Sequence, residues 1–176
     1  MILEQKRVSA TLITVGAATG ASVVGAVPTD FADALILVPL ETALVKGVLK
    51  CYDVKFSADL ITAIVGSAAI TNVAKAILAK LKAIPNIAGS VLNAIVAGVI
   101  VAALGESTIG LAEAIYLGRV DSKKIDEVVD FVNRKMKENP IIGKAVEYML
   151  NHTNELNDRS AKEILSVILE MIKPKK

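Results

Sequence analysis

The chain has 176 residues, 53% of them hydrophobic, a mean hydropathy of +0.56 and a formal net charge of +2. The apolar content is high for a soluble domain, and so small a charge, with no basic run interleaved with aromatics, excludes a nucleic-acid binder. A single cysteine, Cys51, excludes an intrachain disulfide framework and a cysteine metal cluster.

Ala, Val, Ile and Leu carry the apolar content; there are three Tyr, three Phe and no Trp. Small and aliphatic side chains of this kind favour close helix packing over a large pocket. Charge is spread unevenly. Residues 1–118 hold eight basic and eight acidic residues, whereas the shorter 119–176 holds twelve and ten. The pattern sets an apolar helical domain over 1–118 and a charged amphipathic helical appendage over 119–176, divided near Gly118-Arg119-Val120-Asp121-Ser122.

The first element is a run without charge from Val8 to Thr29, 22 residues long. Lys6 and Arg7 precede it as they would in a secretory leader. The run continues through Ala21-Ser22-Val23-Val24 to Val27-Pro28 without a break, so it reads as a retained helix. Phe31 to Val48 reads as a helix interrupted at Pro39, with Thr29 or Asp30 as its cap. Asp59 to Leu81 reads as one helix, capped by Ser57 with Asp59. Pro85 permits a turn. A second charge-free run follows from Ala83 to Gly105, 23 residues, and Gly118 suits a helix end. Each charge-free run reaches the roughly 20 residues that a spanning helix needs.

Beyond residue 120 the pattern turns to ordinary amphipathic helices. Ile125, Val128, Val129, Val132 and Met136 form one stripe. Asn139-Pro140 starts a second helix with Ile141, Ile142, Ala145, Tyr148 and Met149 inward. Asn151 to Asn157 reads as a polar loop. Ala161, Ile164, Leu165, Ile168, Leu169 and Ile172 form the last stripe. No strand-like alternation is long enough to matter, so the fold class is all-α: apolar helical hairpins, rich in Ala and Gly, followed by short amphipathic helices.

The chemistry is sparse. Gly16-Ala17-Ala18-Thr19-Gly20 has no Lys-Ser or Lys-Thr after it and no strand before it, so it is no nucleotide loop. Gly16 and Gly20 instead share a helix face, as do Ala94, Gly98 and Ala102. Small residues at this spacing let helices approach closely, either in a bilayer or in a soluble core. His152 is the only histidine and sits among polar residues. Cys51 follows Lys50, which would lower its pKa, but no histidine is near in sequence. No catalytic group, cofactor or metal site is expected. Asp30, Asp33 and Glu41 fall within about 80° on a helix, an acidic strip that would line a polar interface or contact a basic partner. Asp30 and Asp33 alone are also explained by the electrostatics of a helix N-terminus.

Val27-Pro28-Thr29-Asp30-Phe31-Ala32-Asp33-Ala34, then Pro39, Glu41, Leu44 and Tyr52, resembles the I-P-x-P-F-A-D-A … P-x-Q … M-I … I-Y-G signature of an uncharacterised bacterial YcjF-type helical family. Ile84-Pro85-Asn86, Asn93-Ala94, Val96-Ala97-Gly98 and Ala103-Leu104-Gly105 are similar to its second segment. The resemblance covers residues 8–118. Thr29 stands for the second proline, Glu41 for Gln, and Asp53 for the Gly after Tyr. Family members often follow Era-like GTPase domains and include predicted membrane proteins. The resemblance therefore implies a membrane-associated helical module linked to a GTPase, here a separate one, and no reaction.

Two functional readings follow. One is a non-enzymatic membrane module, homo-oligomeric, with residues 119–176 cytoplasmic. Lys6, Arg7, Arg119, Lys123 and Lys124 place both flanks on the cytoplasmic side, while the lysines between them fit hairpins that dip into the bilayer better than full crossings. The other is a soluble bundle acting as an adaptor or dimerisation domain, its apolar helices buried on all sides.

Overall fold

A computed structural model describes residues 2–25, 37–81, 84, 87–156 and 158–170. The protein is all-helical, and no strand occurs among the described residues. The described helices are α1 (Leu3–Gly25), α2 (Val38–Cys51), α3 (Ala58–Val65), α4 (Ala68–Leu81), α5 (Gly89–Tyr116), α6 (Ile125–Lys137), α7 (Pro140–Asn151), α8 (Thr153–Leu156) and α9 (Ala161–Glu170).

Local chemistry sets most boundaries. Pro39 stands in the first turn of α2, where it has no intrahelical N–H bond to lose, and the part of the expected Phe31–Val48 helix before Leu37 lies outside the described residues. The stretch Asp59–Leu81 is not one helix. It breaks at Gly66-Ser67, because Gly66 is a poor helix former and closes α3 by donating to Thr62 O at 2.8 Å. Ser57 caps α3 as its sequence indicates, accepting from the Leu60 N–H at 3.2 Å. The expected polar loop after Asn151 contains the single turn α8, anchored by buried Leu156.

The second charge-free run is the axis of the molecule. Helix α5 spans 28 residues, and its interior is buried from Ala94 to Gly105 without a gap. It ends where Gly118 adopts φ +69°. The Gly118 and Arg119 N–H groups then donate back to Ile115 O and Ala114 O at 2.9 and 2.8 Å, a Schellman closure that satisfies the last carbonyls.

Helices α1, α2, α4, α6, α7 and α9 pack around α5. The α1–α5 pair is antiparallel and closely spaced. A Cβ on Gly98 would come within 2.5 Å of the Leu165 side chain and 3.1 Å of Ala18 O, and one on Gly105 would overlap Thr14. Ala10, Thr14, Ala18 and Ala21 line the α1 side of this seam, all fully buried. Two buried hydroxyls are satisfied within their own helices: Thr14 donates to Ala10 O at 3.0 Å and Thr108 to Leu104 O at 2.8 Å.

The charged segment folds back along α5. Val128, Val132 and Met136 of α6, Ile141, Ala145 and Met149 of α7, and Ile164, Leu165, Ile168 and Leu169 of α9 turn their stripes into the common core. Asn139 joins two elements. Its Oδ1 caps α7 by accepting from the Ile141 N–H at 3.0 Å, and its Nδ2 donates to Ala103 O of α5 at 3.2 Å. The change of composition near Gly118 is therefore the point where the chain reverses direction, with a shared core on both sides.

Candidate membrane-facing surface

Among the described residues, three stretches are long and apolar enough to cross a membrane: Leu3–Gly25, Ala58–Leu81 and Gly89–Tyr116. The protein already covers them to different degrees. The most apolar window of α5 is 89% buried, that of Ala58–Leu81 53%, and that of α1 only 33%.

What α1 leaves uncovered is one continuous face. Val8, Leu12, Gly16 and Val23 are exposed, Leu12 and Val23 each to 66%, with Val15 and Thr19 half-buried between them. This face carries no charge from Val8 to Gly25, about 27 Å of helix. The other long helices differ. Lys46 and Lys50 are exposed on α2, Lys75 and Lys80 on α4, Arg134 and Lys135 on α6, Lys144 and Glu147 on α7, and Lys162 and Glu163 on α9.

One end of the α1 face is fixed by a polar cluster. Lys6 is only 3% exposed. Its Nζ donates to Cys51 O at 3.2 Å, pairs with Asp53, and lies 5.3 Å from the centre of the Tyr116 ring. Arg7 pairs with Glu113 at 3.3 Å, and the Tyr52 hydroxyl donates to the same carboxylate at 3.0 Å. The Tyr52 and Tyr116 rings meet edge to face, 6.5 Å apart. This cluster ties the start of α1, the end of α2 and the last turns of α5 at one level. Asp53, which tolerates φ 56° here, is held below the usual carboxylate range by the Lys6 ammonium. Burial, reinforced by Glu113, pushes the Tyr52 phenol up.

The residues singled out from sequence fare differently. Gly98, Ala94 and Ala102 lie in the interior, and Gly98 makes the close contact expected of it. A Cβ on Gly16 would meet nothing within 4 Å, and one on Gly20 would meet Leu40 only at an ordinary 3.8 Å. Glu41 is 4% exposed and has no hydrogen-bond or ion-pair partner among the described residues. Glu41 itself is therefore withdrawn from the surface. Burial pushes its carboxyl up to about 7. Asp30 and Asp33 lie outside the described residues. Burial also raises the Cys51 thiol, so Lys50 does not prime it. His152 closes α7, its Nδ1 2.8 Å from Tyr148 O and its ring stacked 4.3 Å from the Tyr148 ring. No group of three or more His, Cys, Asp or Glu residues that could hold a metal occurs among the described residues.

Two features escaped the sequence reading. The Lys6–Tyr52–Glu113–Tyr116 cluster joins residues up to about 110 positions apart and leaves no local trace. The seven-residue spacing of Gly98 and Gly105 was legible, and it marks the true seam. Comparison with family models, curated proteins and solved structures gives no match, so the likeness over residues 8–118 rests on the motifs quoted for it.

Proposed function

We propose that the chain is a non-enzymatic, membrane-associated helical module. The observation that carries this reading is the outward face of α1, apolar and free of charge from Val8 to Gly25 on a 23-residue helix. Singly exposed apolar residues are ordinary on a protein surface; a contiguous row of them along a long helix marks an interaction or membrane site. Exposed Tyr116, Leu117 and Arg7 add the aromatic and basic residues typical of a membrane–water boundary. A separate GTPase is the partner suggested by the resemblance of residues 8–118.

Fractionation of the expressed full chain tests this reading. Recovery with membranes, and binding of the purified chain to phospholipid vesicles, are expected. Recovery in the supernatant, with no vesicle binding, would overturn it. That result would favour a soluble adaptor or dimerisation bundle, the reading supported by the near-complete burial of α5.

A further inference from the structure

We infer that the closed bundle docks flat on an anionic bilayer, with the α1 stripe at the headgroup–acyl boundary and Lys46 and Lys50 of α2 on lipid phosphates. The inference rests on the membrane reading above and narrows it to a lipid class, an orientation and two cations.

The orientation follows from where the charges sit. Helices α1 and α2 run antiparallel: Gly20 lies against Leu40, Gly47 against Ile13, and Lys6 against Cys51 and Asp53. Lys46 is therefore level with the stretch around Ile13, about 9 Å along α1 from Arg7. An upright crossing of the intact bundle would carry this exposed ammonium into hydrocarbon, together with Arg134 and Lys135, which lie on α6 alongside α5. Such placements are strongly disfavoured. A helix lying in the interface plane buries its apolar face by only about 5–10 Å and leaves neighbouring cations at headgroup level. Among the described long helices, only α1 offers a face without charge for that role, from Val8 to Gly25.

The lipid class follows from α2. Its exposed positions are Val38, Pro39, Ala43, Lys46 and Lys50, none of them acidic. Neither lysine has an ion-pair partner among the described residues. Both sit on the helix that borders the apolar stripe, so their charge is available to phosphate. A second copy of the chain is the weaker occupant. An isologous contact would bring the same two lysines from each subunit to one interface, where like charges oppose association. Helix α9, which also packs on α1, carries Lys162, Glu163 and Glu170. Glu163 is engaged by Ser160 at 2.7 Å.

The test uses the full chain with vesicles of phosphatidylcholine alone and of phosphatidylcholine mixed with phosphatidylglycerol. Each lysine near an anionic surface is worth roughly fivefold in binding, so the mixed vesicles are expected to bind about 30-fold more tightly. Lys46→Gln/Lys50→Gln should remove most of that preference, high salt should reduce it, and alkaline carbonate should release the protein. Leu12→Glu should weaken binding to both vesicle types. All three positions are exposed, and circular dichroism checks that the variants fold. Equal binding to the two vesicles, or an unchanged preference in the double lysine variant, overturns the inference and leaves the membrane reading standing. Carbonate-resistant binding does the same, in favour of insertion. Binding to neither vesicle overturns both readings. A concentration-dependent dimer that Leu12→Glu abolishes, without lipid binding, assigns the face to a second copy.

Discussion

Helices α1 and α5 begin from nearly the same sequence character and end in opposite environments. Both contain a charge-free run long enough to cross a bilayer, and both are rich in Ala, Gly and Val. One is enclosed almost completely by other helices; in the other only a third of the most apolar window is fully buried, and Val8, Leu12, Gly16 and Val23 stay exposed. An all-round apolar helix is equally suited to a protein core and to lipid. Its neighbours decide between them, and here α6, α7 and α9 supply to α5 the apolar cover that α1 lacks on its outer side.

The contrast can be broken most forcefully by cutting side chains on the two helices. Leu104→Ala, at a fully buried position of α5, should cost about 2–5 kcal/mol in urea unfolding, from lost transfer and the cavity left behind. Leu12→Ala on the open face of α1 should stay within about 0.5 kcal/mol, while lowering vesicle binding.

A titration probes the helix that packs on both. Glu41 lies on α2 against α1 and α5. Its carboxyl, raised by burial to about 7 from an unfolded value of 4.5, binds protons more tightly in the folded state. Stability is therefore greatest below pH 4.5 as far as this group is concerned. It should fall as pH rises from 4.5 to about 7 and level off above, by an amount on the order of 3 kcal/mol. Glu41→Gln should flatten that slope and exceed the parent chain in stability at pH 8, both measured by chemical unfolding across the range. A slope unchanged in the variant would assign it to other groups.

Glycine substitutions sharpen the same comparison. Gly105→Leu must displace Thr14 from the α1–α5 seam and is expected to destabilise by about 1–3 kcal/mol. Gly16→Leu meets open space and should leave the midpoint unchanged or raise it slightly, since Gly is a poor helix former. Gly118→Ala forces an L side chain into φ +69° where α5 closes. A loss of about 1 kcal/mol is expected, read as a modest downward shift in Tm.

Much of this architecture was legible residue by residue. The stripes Val128–Val132–Met136 and Ile164–Leu165–Ile168 announced both their helices and their buried faces, because three- and four-residue spacing has a definite phase on a helix. Ser57, Asn139-Pro140 and Gly118 marked ends correctly, because caps are local chemistry within one turn. The role of Pro39 and the break at Gly66-Ser67 were harder. A proline serves either as a kink or as a first-turn residue, and only the position of the chain before it distinguishes the two.

The sequence by itself determined that the chain is helical, where its amphipathic faces lie, and that two runs hold no charge. Only the tertiary structure decided which of those runs became the core, which glycines touch, and that Lys6 is buried against Cys51 and Tyr116. The physical reason is that hydrophobic attraction scales with area and has no direction. A helix apolar on every side carries no phase that points to its partner, so the choice between protein and lipid as its solvent falls to residues far away along the chain.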